Sequence, residues 1–377
     1  MAVAERFEKL MRSPGPDRLL SWQSWLGGVA AVYGGAMLLR GRLYRRRLFK
    51  TRRLSCRVIS VGNLATGGTG KTPMTLYLAK RLCQAGLRAV VISRGYRGGA
   101  EKKGGIVSDG RRIRMSPEAA GDEPWMMADR LHGVPVMVGK DRYQAGRAAE
   151  KIFSPDVVLL DDGFQHLQLH RDLDLVLLDA ALPMGNGRIF PRGPLREPIR
   201  ALCRADALIL TRSALPASPL HGSFWRRRSV RRLPKIFSRH VPRLRGIAPA
   251  GGGDLPTGST PAAGRLTAKR VLAFSGIARN EAFDHSIRDL GAVPVAVRCF
   301  SDHHRYTTRD RDDLLWLARR SRADLLATTE KDFARLGGKN PFDSDLAVIG
   351  VDIELVEGEK ILDQLLWDRI VQYRETI

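Results

Sequence analysis

The sequence predicts an α/β fold: a doubly wound, mostly parallel sheet over residues 55–240 and a second, smaller α/β unit after it. Three observations predict it. Runs of Val, Ile and Leu alternate with helix-period segments from Cys56 onward. Continuous apolar runs of this kind suit parallel strands covered on both faces. A glycine-rich loop joins the first such strand to a helix within 58–72, VISVGNLATGGTGKT. A stretch at 246–266 rich in Gly, Pro, Ser and Thr then separates two sets of strands, as a linker or surface loop does.

Before these elements comes a charge-free segment, 22–39, that carries Trp22, Trp25 and Tyr33 and runs into the basic stretch 40–53, RGRLYRRRLFKTRR. An apolar, aromatic-bearing segment flanked by arginines reads as a membrane contact. Its apolar core is about 15 residues, short of the roughly 20 needed to span a bilayer. An N-terminal membrane-associated helix lying at the interface is therefore expected rather than a span. The charged amphipathic stretch at 1–13 and the lack of a small-residue cleavage site argue against a signal peptide.

The strands then follow in order: 56–63, 88–96, 155–163, 173–181 and 205–213, with a helix over 72–86. The second set is 270–278, 292–300, 323–332 and 346–355, with a helix over 309–321. The expected division is a membrane-associated segment at 1–54, a nucleotide-type domain at 55–240, a linker or hinge at 241–268 and a smaller domain at 269–377.

Composition narrows the partners. The net charge is +24 and arginine dominates the cations, which points to an anionic partner such as a phospholipid surface or a phosphorylated substrate. A nucleic-acid partner would call for aromatics interleaved with the basic patches. Aromatics make up only 7% of the chain, and the densest basic run abuts an apolar segment instead. The four cysteines are scattered without a CxxC pair, which excludes a disulfide scaffold or a zinc site.

The loop after the first strand has the make-up of a phosphate loop, and with it the fold reads as P-loop NTPase-like. Small residues let successive backbone N–H groups turn toward phosphates, a Lys reaches the terminal oxygens, and a Ser or Thr hydroxyl faces Mg²⁺. Ala65, Thr66, Gly67, Gly68, Thr69 and Gly70 form the loop, Lys71 supplies the charge and Thr72 the hydroxyl. The standard spacing has Gly where this chain has Ala65. Alanine takes positive φ less readily, so that turn is expected to differ in shape.

Acidic residues mark the rest of the candidate site. Asp161 and Asp162 close a hydrophobic strand, where a Walker-B-type carboxylate faces Mg²⁺. Asp122 and Glu123 in AGDEP precede a helix, and Asp302, His303 and His304 open a loop in the second domain, where a histidine suits proton transfer near neutral pH. Arg192, Arg196 and Glu197 lie in a Pro-bounded turn that holds either a phosphate and a metal or a surface salt bridge.

Taken together these motifs resemble the tetraacyldisaccharide 4'-kinase family, the lipid A 4'-kinases of Gram-negative bacteria. The matching segments run in order: ISVGNLATGGTGKTP at 59–73, SRGYRG at 93–98, AGDEP at 120–124, DRYQAG at 141–146, LLDDGFQHLQLHRDLDLVLLD at 159–179, GPLREP at 193–198, RADALILTR at 204–212, AFSGIA at 273–278, FSDHHRY at 300–306 and TTEKD at 328–332. The family's loop also lacks the first glycine.

The resemblance implies ATP-dependent transfer of a γ-phosphoryl group to the 4'-hydroxyl of a tetraacyldisaccharide 1-phosphate, with Mg²⁺. It implies that the loop 65–72 and Arg196 hold the nucleotide phosphates, and that Thr72, Asp161 and Glu197 hold the metal. Asp162 would sit beside the reacting phosphoryl, and Asp122 would take the hydroxyl proton with help from His303. It also implies a chain, favoured as a monomer, at the cytoplasmic face of the inner membrane, where its partners are the lipid A precursor and the anionic surface rather than nucleic acid. The family's two-domain arrangement implies a cleft whose closure, hinged near 240–267, brings His303 to Asp122. The competing reading is a P-loop NTPase that serves as a switch or chaperone. It lacks support from an NKxD-type base-specificity motif, which TRSA at 211–214 does not supply.

Overall fold

The computed structural model describes residues 22–213, 223–255, 264–277 and 279–372. The amphipathic stretch 1–13, residues 256–263 of the Gly/Pro-rich segment and the last residue of AFSGIA lie outside the described residues. In chain order the elements are α1 (Trp22–Arg45), β1 (Arg57–Asn63), α2 (Lys71–Gln84), β2 (Ala89–Ser93), β3 (Gly105–Ser108), α3 (Asp122–Arg130), β4 (Val136–Val138), α4 (Arg142–Phe153), β5 (Val157–Asp161), β6 (Leu173–Asp179), β7 (Ala207–Thr211) and β8 (Lys235–Ala248). They continue as β9 (Arg270–Ser275), α5 (Asn280–Asp289), β10 (Val293–Cys299), α6 (Thr308–Arg320), β11 (Leu325–Thr329), α7 (Glu330–Arg335), β12 (Leu346–Glu357) and α8 (Glu359–Leu366).

The chain forms two compact units, and they divide it differently from the contiguous split expected. One comprises 1–93, 141–239 and 354–377, the other 94–140 and 240–353. The segment Arg94–Lys140 thus belongs with the C-terminal half, and the last residues return to the first unit. The start of the expected linker is also strand, because β8 runs on to Ala248. Buried side chains favour the longer strand: Ile236 and Ala248 at the two ends of β8 are fully buried, and burial of a side chain the size of Ile contributes about 1.5–3 kcal/mol.

In the first unit β8, β7, β6, β1, β5 and β2 lie side by side in that order, all parallel. Their Val/Ile/Leu runs are covered on both faces; Val58, Ile59 and Val61 of β1 are completely buried. The strand β1 sits between β5 and β6, which come much later in the chain. A crevice opens beyond the carboxyl ends of strands at such a switch point, so the loop after β1 and the Asp161–Asp162 pair after β5 meet there.

In the second unit β10, β9, β11 and β12 form a parallel run, and β3 pairs antiparallel with β4. The core clusters around Phe274, Phe333, Phe342 and Leu346 on one side and around Val271, Phe283 and Ile287 on the other. Helix α6 opens on a capping box from Thr307 and Asp310, which satisfies backbone groups at its free end.

Helix α1 covers 24 residues. No described helix is long and apolar enough to cross a membrane. Its inner face rests on the first unit: a Cβ on Gly34 would fall 2.7 Å from Ile189 Cδ1, and Tyr33 meets Phe190 edge-on at 6.5 Å. The opposite face carries Trp22, Trp25, Val29, Val32 and Leu39, with both tryptophans 73% and Val32 77% exposed.

Candidate active site

The first half of the site is built on the loop after β1. Left-handed backbone falls on Gly67 (φ +112°) and Gly70 (φ +85°), where glycine carries no steric cost. Ala65 needs no such conformation. It lies extended, in an isolated antiparallel bridge with Leu195, while Thr66 N–H donates to Pro194 O at 2.7 Å and Arg196 N–H to Leu64 O at 2.8 Å. The 192–198 turn is thereby pinned beside the loop. Asn63 Nδ2 donates to Thr69 Oγ1 at 3.0 Å inside the protein and braces the loop from below.

Helix α2 starts at Lys71, immediately after Gly70, so its free N–H groups face the loop's concave side. Lys71 Nζ lies 3.8 Å from Asp162 Oδ1. Arg196 Nη1 donates to both oxygens of the same carboxylate, at 3.0 and 2.8 Å. Burial pushes Asp162 toward its neutral form, but Lys71 and Arg196 outweigh it and hold the carboxyl below its ordinary value. Asp162 thus gathers the two cations that a phosphate chain would need.

Asp161 points the other way. It is buried, its Oδ1 accepts from Thr75 Oγ1 of α2 at 3.2 Å, and its Oδ2 accepts from Ser93 Oγ at 3.4 Å. Glu197 is buried as well, with Oε2 held by Arg204 Nη2 at 2.9 Å and Oε1 left without a hydrogen-bond partner. An acceptor orphaned in this way is costly unless a cation or water serves it. Burial of Glu197 and Arg192 also rules out a surface salt-bridge loop. Among the described residues no group of three or more His, Cys, Asp or Glu side chains could hold a metal by itself. Mg²⁺ prefers one or two protein oxygens together with phosphates and water. Thr72, Asp161 and the unbonded Glu197 oxygen are donors of the hard-oxygen type that Mg²⁺ takes.

The second half lies wholly in the other unit. Asp122 is the first residue of α3, where the helix N-terminus favours a negative charge. Its Oδ2 accepts from Arg335 Nη2 at 2.7 Å and Nε at 3.1 Å, and it lies 3.2 Å from His303 Nδ1. Its Oδ1 accepts from the Glu123 N–H at 3.0 Å. The expected need for domain closure to bring His303 to Asp122 is overturned, because both residues belong to one unit and already touch. The excursion of Arg94–Lys140 into that unit is the reason.

Two cations on α7 set the charge of this pair. Lys331 pairs with Glu123, and Arg335 also donates to Gly276 O at 2.6 Å and Asp332 Oδ1 at 2.8 Å. Burial raises the Asp122 proton affinity, but the His303 hydrogen bond and the Lys331 and Arg335 charges more than reverse this and hold the carboxyl below the usual range. His303 itself sits in left-handed backbone at φ +61°, and its Nε2 lies 3.8 Å from Asp302 Oδ2. A non-glycine residue in that region marks a locally determined turn.

A phosphate loop, a carboxylate pair at a strand end and a separate carboxylate–imidazole pair are the parts of a phosphotransferase with a hydroxyl acceptor. The family model for tetraacyldisaccharide-1-P 4'-kinase matches residues 22–371. The chain belongs to the tetraacyldisaccharide-1-P 4'-kinase family. It is 40% identical over 373 residues to the tetraacyldisaccharide 4'-kinase of Desulfatibacillum aliphaticivorans, covering 97% of each chain. It is 42% identical over 322 residues to that of Geobacter metallireducens, covering 85% of this chain and 90% of the relative. It also matches the crystal structure of LpxK from Aquifex aeolicus in complex with ATP, with a TM-score of 0.73 and 31% identity over 93% of this chain and all of the other.

Arg335, Lys331 and Arg204 each hold a carboxylate of the site, Asp122, Glu123 and Glu197 respectively, and sequence reading assigned none of them a role. Lys331 lies inside the TTEKD motif and Arg204 opens RADALILTR. The motifs marked these positions, but only the folded contacts reveal which carboxylate each one holds.

Proposed function

We propose that this protein transfers the γ-phosphoryl group of ATP to the 4'-hydroxyl of a tetraacyldisaccharide 1-phosphate, a lipid A precursor. The observation that carries the reading is the 3.2 Å contact between Asp122 and His303. A nucleotide switch needs only water beside its phosphate loop, whereas a kinase needs a base for its acceptor. ATP-dependent phosphorylation of a lipid A disaccharide 1-phosphate by the purified protein is the direct test. Nucleotide hydrolysis with no phosphorylated lipid would favour the switch instead.

In this reading the loop 65–70 and the start of α2 hold the phosphates through backbone N–H groups. Lys71 and Arg196 leave Asp162 to neutralise the γ-phosphoryl charge, and Asp162 keeps both within reach. Thr72, Asp161 and Glu197 would hold Mg²⁺, which would supply neutralisation of phosphate charge. Arg204 fixes Glu197 so that its second oxygen stays available. Asp122 and His303 together take the proton of the acceptor hydroxyl. Low proton affinity makes Asp122 alone a weak base, so sharing the proton with the His303 ring nitrogen 3.2 Å away suits the pair.

The acceptor carries acyl chains, so the enzyme works at a bilayer surface, which we assign to the cytoplasmic face of the inner membrane. The tryptophan-bearing face of α1 enters the interface, and Arg42, Arg45, Arg46 and Arg47 meet anionic headgroups. Each such cation contributes about 1 kcal/mol at low salt. Neutralising Arg45, Arg46 and Arg47 is therefore expected to weaken binding to anionic vesicles roughly 100-fold. Vesicle co-sedimentation with unchanged affinity would argue against this anchor.

A further inference from the structure

Beyond Ser93, which donates to Asp161, the SRGYRG motif at 93–98 takes part in neither half of the site as described, yet its turn is built against the Asp122–His303 pair. Gly98 is the point of closest approach. A Cβ there would fall 2.6 Å from Gly121 N and 2.7 Å from Ala119 O, so only glycine lets the two backbones meet. The N–H groups of Gly99 and Ala100 donate to Glu118 O at 3.0 Å and Ala119 O at 2.9 Å. The 94–100 turn is thus seated on the residues that lead directly into Asp122. Tyr96 projects from it and meets His303 edge-on, with ring centroids 6.1 Å apart.

Arg97 follows in left-handed backbone at φ +63°. Strain of this kind at a non-glycine residue is a reason to look for function. The neighbouring Arg94 is already paired, with Nε 2.7 Å from Glu101 Oε1. Arg97 is exposed, lies over the Tyr96 ring at 5.4 Å, and has no hydrogen bond or carboxylate partner among the described residues. The ring holds the cation without neutralising it. An unneutralised guanidinium therefore stands one aromatic ring away from the proposed base.

We propose that Arg97 binds the phosphate monoester of the acceptor sugar, held in position by Tyr96. The proposal rests on the acceptor reading above, in which a disaccharide with its hydroxyl at Asp122 and His303 carries a phosphate on its far end. The nucleotide phosphates already have Lys71, Arg196 and the loop backbone. Arg97 sits on the acceptor half and presents the planar fork that suits a phosphate.

Steady-state phosphorylation in neutral detergent micelles tests it, with two acceptors, the disaccharide 1-phosphate and the same disaccharide without the phosphate. Wild type should prefer the phosphorylated acceptor. In Arg97→Ala the ratio of kcat/KM for the two acceptors should fall roughly 10- to 100-fold through KM for the phosphorylated one. Arg97→Lys should restore part of the ratio, as a point charge without the fork, and KM for ATP should stay put. The side chain is exposed, so unchanged melting temperatures are expected for both variants. An unchanged ratio, or an equal loss on both acceptors, would overturn the proposal. So would a rise in KM for ATP, or a matching loss of binding to anionic vesicles, which would assign the cation to nucleotide or membrane phosphate. Wild type inactive on both acceptors would instead remove the acceptor reading, and the proposal with it.

Discussion

Replacing Asp122 with Ala is expected to lower phosphoryl transfer about 100- to 10,000-fold, the range general-base catalysis supplies, while ATP binding is retained. The reason lies in the pairing. Oδ2 of Asp122 is the oxygen that holds His303 Nδ1 at 3.2 Å. Without it the imidazole loses the carboxylate contact that orients its Nδ1. The same substitution leaves Lys331 and Arg335 without the carboxylate they face, so some loss of stability should accompany the loss of activity. Asp122→Asn separates the two effects, because it keeps the shape and removes the charge. Turnover of either variant at the wild-type rate would sink the base assignment. The pH dependence has a definite sign. A carboxyl held below its ordinary value in the folded state stabilises the fold above its unfolded value, and that contribution is lost as pH falls through the folded value. The Asp122 contribution is therefore expected to be complete at neutral pH and to disappear only in acid below the usual carboxylate range. A denaturation series of wild type and Asp122→Asn from neutral to acidic pH should show their difference shrinking at the acidic end.

Lys71→Ala is expected to lower kcat about 100- to 1,000-fold, the usual effect of removing one preorganised cation or donor from a developing charge. Lys71 lies 3.8 Å from Asp162, close to Arg196 on the same carboxylate, so its loss leaves Arg196 to neutralise the phosphates alone. Asp162 would then hold Arg196 more tightly and compete with the nucleotide for it. A weaker ATP affinity should therefore accompany the slower transfer, visible as a smaller ATP-induced rise in melting temperature. The acceptor half contains none of these residues, so binding of the lipid disaccharide should be preserved. Wild-type turnover in Lys71→Ala would remove the donor half of the proposed mechanism.

The elements legible in the sequence are those that local chemistry specifies. The strands β1, β2, β5, β6, β7, β9 and β11 all fall within the expected apolar runs, because a strand buried on both faces must be apolar at nearly every position; β10 was legible as well, although its residues are exposed or half-buried. The phosphate loop was legible for the same reason: Gly67 and Gly70 take the two left-handed turns, and Lys71 opens the helix. Asp161 and Asp162 were legible as a pair at a strand end. The short strands β3 and β4 and the extension of β8 were not, since their patterns are brief or irregular.

The sequence by itself therefore determined the donor half of this protein, because a loop, a strand end and a helix start are contiguous stretches whose residue types answer to local backbone geometry. The motifs also named Asp122 and His303, but only the tertiary structure decided how the acceptor half is held together. Asp122, His303 and Arg335 come from three distant stretches, and Arg94–Lys140 joins the C-terminal unit against the expected division. The value of each charge there depends on which others lie within a few ångströms, since Coulomb energies fall with distance and rise with burial. No spacing along the chain encodes those distances, so the clamp of Arg335 on Asp122 and the unpaired Arg97 beside it emerge only from the fold.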